Sequence, residues 1–160
     1  MPKDQPIGAG KGDVVRRGLQ LFLCWFPPFA WAVIILVGTS LPRVPGPDIS
    51  AHNKYVHLIA YVILGLLVLR GFISGNRWPV AKAVGWTVVI GALFGAYQEI
   101  IQAFIPERSA TFGDFLANLA GIVVAAGIVW IWMRIREADN IDRHSQGDGS
   151  DGGSAAHRRE

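Results

Sequence analysis

Cysteine is nearly absent from this chain. The single Cys24 among 160 residues excludes an intramolecular disulfide and a thiolate metal cluster. It sits inside an apolar run and reads as inert filler. Charge is scarce as well: Asp, Glu, Lys and Arg make up 17% of the residues, and most of them lie outside four long apolar runs. Several signatures of soluble catalysis are also missing. There is no Walker loop, no GxSxG elbow, and no H-x-x-x-H or H-E-x-x-H pair. The glycines between Gly71 and Asn76 follow no phosphate-loop pattern. A zinc site would have to draw His57, Glu99 and Asp114 from separate segments with one convincing histidine, so no metal and no cofactor is expected. The net charge of +3 and a pI near 9.4 bring nucleic acid to mind, but the basic residues cluster beside the apolar runs, where membrane topology explains them better.

What the chain has in abundance is apolar length. AVILMFWYC account for 51% of the residues and the mean hydropathy is +0.34. A helix on a soluble core shows one apolar stripe, whereas these runs are apolar nearly all round, as a membrane span is. The sequence therefore predicts an all-α, integral membrane four-helix bundle with spans at about 19–38, 55–72, 83–105 and 113–133. Pro27 and Pro28 fall inside the first span and should kink or locally unwind it. That run is long enough to cross about 30 Å of hydrocarbon, and no A-x-A-like site follows it, so it reads as a span rather than a cleaved signal. Residues 1–18 read as a disordered basic arm, 39–54 as a proline-rich loop, 70–82 as a polar connection and 137–160 as a disordered tail.

Counting Lys and Arg assigns the sides. Four precede span one, three lie between spans two and three, and five follow span four. The excess marks the cytoplasmic face, so both termini are expected inside a cell membrane, with loops 39–54 and 106–112 outside. His57, Glu99, Gln102, Arg108, Asp114 and Asn118 then share the outer part of the protein although they come from three spans. Helical steps of three or four residues put Glu99 and Gln102 on one face with Gly91 and Gly95, Asp114 and Asn118 with Gly121 and Ala125, and His57 and Tyr61 with Gly65. Each face is polar near its outer end and small deeper in, where helices approach closely. The expected shape is a packed floor beneath a polar cup.

These residues also carry a resemblance. The string NKYVHLIAYVILG, Asn53 to Gly65, followed by YQEIIQAFIPERSATFGDFLANLAG, Tyr97 to Gly121, is similar to the VanZ-like family of small integral membrane proteins, named for a protein associated with teicoplanin resistance. Lys54, His57 and Tyr61 match its first motif. Glu99, Gln102, Pro106, Arg108, Asp114, Asn118 and Gly121 match the second in order. The likeness covers about residues 39–133, and departs at Asn53, where Asp is commoner, and at Glu107, where Gly is commoner. It implies an envelope-related membrane function.

The roles stay open at this level. Glu99 is either a general acid or base, or a carboxylate paired with Arg108 or His57 to fix the bundle. His57 relays protons or serves as an interhelical donor. Arg108 and Lys54 hold an anion or snorkel to the interface. Asp114 reads first as a cap for span four. Gln102 and Asn118 read as interhelical hydrogen-bond partners lining the cup, and Tyr61 as a hydroxyl donor to that network or a packing residue. The expected partners are membrane lipids and a lipid-linked or lipoglycopeptide ligand, with Glu99 and His57 as catalytic candidates. Against this stands a non-catalytic scaffold or stress-response interaction protein. A proton-linked transporter is disfavoured, because polar residues in one half offer no relay to the other side.

Overall fold

A computed structural model of the chain describes residues 10–40, 50–105 and 112–148, and the side chains of 10–40, 54–105 and 112–139. The expected all-α bundle is there. Four helices form it: α1 (Lys11–Ser40), α2 (Ser50–Arg70), α3 (Val80–Ala103) and α4 (Phe112–Asp148), each containing a stretch long and apolar enough to cross a membrane. Lipid supplies no hydrogen bonds, so a segment that satisfies its backbone internally is the form such runs must take. The protein is a multi-pass membrane protein.

Element ends differ from the sequence expectation in four places. Helix α1 starts at Lys11, so residues 11–18 are helical rather than a disordered arm. Asp13 in its first turn suits the positive end of the helix dipole, and extending a formed helix costs little per residue. It also runs unbroken through Pro27 and Pro28, without the local unwinding expected there. Helix α2 begins at Ser50, in the stretch read as loop, because no proline falls between Pro47 and the end of the helix at Arg70. Helix α4 continues to Asp148 through residues read as disordered tail, since 137–146 contain neither glycine nor proline.

The fourth difference is the connection after α2. Instead of a polar loop from Arg70, the chain makes a π-turn over Gly71–Gly75, with the Asn76 N–H donating to the Gly71 carbonyl at 3.1 Å. The glycines explain it. A Cβ on Gly71 would stand 3.3 Å from the Trp25 ring and one on Gly75 would stand 3.1 Å from Cys24 Cβ, so the turn lies tightly against α1. Trp25 meets Phe72 edge-on at 4.9 Å, Phe72 stacks on Trp78 at 4.5 Å, and Lys82 Nζ sits 4.1 Å above the Trp78 ring. Pro79 then opens α3 with φ preset and no N–H to satisfy, and its carbonyl accepts from Ala83 N–H at 3.0 Å.

Small residues set the helix approach in the unit formed by residues 1–126. On α3 the buried stripe is Ala83, Thr87, Gly91, Gly95, Gln98 and Gln102. A Cβ on Gly91 would fall 2.6 Å from Ile122 Cγ1, and one on Gly65 would fall 2.7 Å from Ala125 Cβ, so α4 packs into grooves on both α2 and α3. The obstacle at Gly91 is the Ile122 side chain, with Cγ1 at 2.6 Å and Cδ1 at 2.7 Å, rather than backbone. Gly91→Ala is therefore expected to destabilise by about 1–3 kcal/mol through overpacking, and Gly91→Ala with Ile122→Ala to lose less in thermal unfolding than the sum of the two single changes, since the truncated side chain no longer meets the added methyl. In the separate unit from Gly127 on, α4 carries Arg134 over Trp130 at 5.0 Å, Arg136 over Trp132 at 4.0 Å, and an exposed Arg134–Glu137 pair at 3.9 Å.

Candidate functional site

The polar residues converge around α2. His57 is 3% exposed, and its Nδ1 lies 3.0 Å from Asn118 Oδ1 on α4. An amide oxygen only accepts, so the ring proton sits on Nδ1 and leaves Nε2 as an acceptor in the neutral ring. One turn further along α2, Tyr61 is fully buried and its hydroxyl donates to Gln98 Oε1 on α3. Gln98 in turn donates from Nε2 to Thr39 Oγ1 on α1 at 2.9 Å, and Thr39 donates to its own helix at the Ile35 carbonyl, 2.8 Å away. One relay of side chains thus ties α2, α3 and α1, and a second contact ties α2 to α4.

Gly95 makes room for this arrangement. A Cβ there would stand 3.4 Å from Asn118 Cβ and 3.6 Å from its amide nitrogen. Asn118 Nδ2 and Gln102 Nε2 are buried and have no hydrogen-bond partner among the described residues. Both carboxylate oxygens of Glu99 are likewise shielded from solvent. Asp114 is 4% exposed in the first turn of α4, where a carboxylate favours the helix dipole from within the helix.

Of the residues singled out from sequence, His57 and Asn118 meet directly. Of the two roles open to Tyr61, it donates its hydroxyl, and the acceptor is Gln98. Gln102 is buried on the expected face without an interhelical bond to its amide nitrogen among the described residues. Lys54 is exposed on α2, and Arg108 lies outside the described residues. Two residues were missed, Gln98 and Thr39. Stepping back from Gln102 by four and then three along the stripe reaches Gln98 and then Gly95, which is the signal that would have found the first. Thr39 had no such signal, because the sequence reading ended its span at Gly38.

An apolar cleft of about 280 Å³ opens beside this network between α1 and α2. Trp31, Ile34, Ile35, Val56 and Ala60 wall it, and Thr39 and His57 supply its polar lining. Trp31 is fixed there by an indole N–H donated to the Ala60 carbonyl at 2.9 Å. The slot therefore shares Thr39 with the relay and His57 with the contact to α4.

Comparison with known families covers these same spans. The VanZ/LLP1 family matches residues 18–133. The chain belongs to the VanZ/LLP1 family. The match takes in all four apolar runs and every candidate site residue of this VanZ-like chain. A DNA translocase FtsK from Agrobacterium fabrum strain C58 is 23% identical to it over 128 residues, which is 79% of this chain and 13% of that protein. The chain thus spans a small fraction of that relative's length. No solved structure matches it.

Proposed function

We propose that the site around His57, Asn118, Tyr61 and Gln98 takes the anionic headgroup of an envelope amphiphile, a lipid-linked phosphate or an acyl-bearing glycopeptide. The cleft carries this reading: apolar walls of Trp31, Ile34, Ile35, Val56 and Ala60 run to a polar lining of Thr39 and His57, which is the polarity profile of an amphiphile. Its volume, near 280 Å³, suits a stretch of one chain. Lys54 and Arg108 hold the anion, Gln102, Asp114 and Asn118 line the headgroup, and in a catalytic version Glu99 and His57 exchange protons with it during hydrolysis or transfer. The termini then face the cytoplasm and the site faces outward, as the Lys and Arg distribution argues. A role in teicoplanin resistance follows from the same reading. The DNA translocation named for the FtsK relative is not carried over, since this chain has no Walker loop.

A second reading has its own observation. The relay from Tyr61 through Gln98 to Thr39 is satisfied at each joint and links three helices, as a purely structural scaffold requires. The two readings part at Val56, which lines the cleft but is half-exposed and outside the relay. Val56→Trp fills the slot. Excluding even two methylene units costs about 1.6 kcal/mol, or about tenfold in affinity. Phosphate-bearing amphiphiles co-purifying with the protein, measured by mass spectrometry of its organic extract, are expected to fall by about that factor. Unchanged amphiphile content in Val56→Trp would favour the scaffold.

A further inference from the structure

A second cleft, of about 280 Å³, lies at the opposite end of the same unit, between the start of α1 and the turn after the π-helix. Asp13, Arg16, Arg17 and Gln20 line it from α1, and Asn76 and Arg77 from the turn. Three arginines and one aspartate thus line it, and among the described residues none of the three arginines makes an ion pair. The cleft keeps a surplus of two positive charges.

The turn that brings Arg77 there is held from several sides. Trp25 Nε1 donates to Asn76 Oδ1 at 3.2 Å, and Trp78 N–H donates to the Phe72 carbonyl at 3.0 Å. Arg77 itself has φ 56°, the left-handed region that disfavours a long side chain. A residue kept in that region against its preference is a pointer to function when the side chain faces a site. Glycine or asparagine would suit the backbone better, and neither brings a cation.

The cleft also sits where the apolar run of α1 begins. Leu19, Phe22, Leu23 and Phe26 follow directly, each more than half exposed, as a lipid-facing surface is. We propose that this cleft binds the headgroup phosphate of an anionic phospholipid, whose chains lie along that α1 face. Arginine suits the role because its planar fork donates two parallel hydrogen bonds to phosphate oxygens. Gln20 and Asn76 add neutral donors for the remaining headgroup oxygens. This site is independent of the function proposed above and shares no residue with it.

The test uses the full chain, delipidated in detergent and titrated with phosphatidylglycerol or phosphatidylcholine while native mass spectrometry counts bound lipids. Wild type is expected to prefer phosphatidylglycerol at least about tenfold, given the attraction of each basic side chain for an anionic headgroup. Arg16→Gln with Arg17→Gln and Arg77→Gln is expected to remove that preference, and Arg134→Gln with Arg136→Gln to keep it. Arg77→Gly separates binding from folding: it relieves the left-handed backbone, so thermal stability should hold or rise while the preference falls. Sodium phosphate at matched ionic strength is expected to displace the lipid no better than chloride. Equal affinity for both lipids, a preference that survives the triple change or is lost in the Arg134 and Arg136 pair, or displacement by free phosphate would each overturn the assignment.

Discussion

Gly121→Ala is expected to unfold this protein more than any other single-methyl change. A Cβ at Gly121 would stand 2.5 Å from the Leu58 carbonyl oxygen, 2.8 Å from Tyr61 Cβ and 3.0 Å from the Val62 nitrogen. Leu58 O and Val62 N are four residues apart on α2, so the added methyl lands on a backbone hydrogen bond of the neighbouring helix. Gly91 differs in this respect, since its obstacle is a side chain. A backbone has no rotamer to retreat into, so α4 itself must move away from α2. That strains the His57–Asn118 contact one turn away, and the cost is expected at the top of the overpacking range, about 3 kcal/mol. Thermal unfolding in detergent measures it. Gly85→Ala is the matched control, because nothing lies within 4 Å of its Cβ position, and it should keep or raise the melting temperature. An unshifted melting temperature for Gly121→Ala would mean that α4 does not pack on α2 at this point.

Gln98→Leu is expected to cost more than the hydrogen bond it removes. Interhelical hydrogen bonds in membranes contribute only about 0.6 kcal/mol on average, so loss of the contact as such is a small effect. Orphaning a buried group is larger, about 1–3 kcal/mol. The substitution leaves the Tyr61 hydroxyl without its acceptor at a fully buried position, whereas Thr39 keeps its bond to the Ile35 carbonyl. Tyr61→Phe orphans Gln98 Oε1 from the other side. The double change Tyr61→Phe with Gln98→Leu leaves neither group, so it should be less destabilising than the sum of the singles by about 1–2 kcal/mol. Strict additivity would show that the two side chains do not meet.

Much of this is legible in the sequence. Four all-round apolar runs leave few alternatives to four spans, because bilayer thickness fixes their length. The face of α4 followed from helical periodicity, with Asp114, Asn118, Gly121 and Ala125 in one buried stripe; on α3 Gly91, Gly95 and Gln102 share another, but Glu99, expected with them, is only half-buried and Gln98 takes its place. His57 and Asn118 met as polar groups on packed spans must. Gln98 was legible only as one of two choices, since from Gly95 a step of three and a step of four are both permitted, and Glu99 drew attention by its charge. The π-turn was hidden because it depends on Gly71 and Gly75 meeting Trp25 and Cys24, contacts more than forty residues apart in sequence. Helix ends failed in the polar flanks, where propagation from a neighbouring span outweighs weak local preference.

The central claim is that the polar site on α2, α3 and α4 handles an envelope amphiphile, and Glu99 gives the most direct test of it. Gln keeps the size and hydrogen bonding of Glu but cannot carry its charge or exchange its proton. Envelope lipids would be compared by mass spectrometry in matched cells with no protein, with wild type and with Glu99→Gln, the two proteins present at equal membrane levels. A lipid species whose abundance shifts with wild type and not with Glu99→Gln is the predicted result, and its identity would name the substrate class. Identical lipid profiles in all three would contradict action on bulk lipids and leave the polar relay as the frame that holds the helices together.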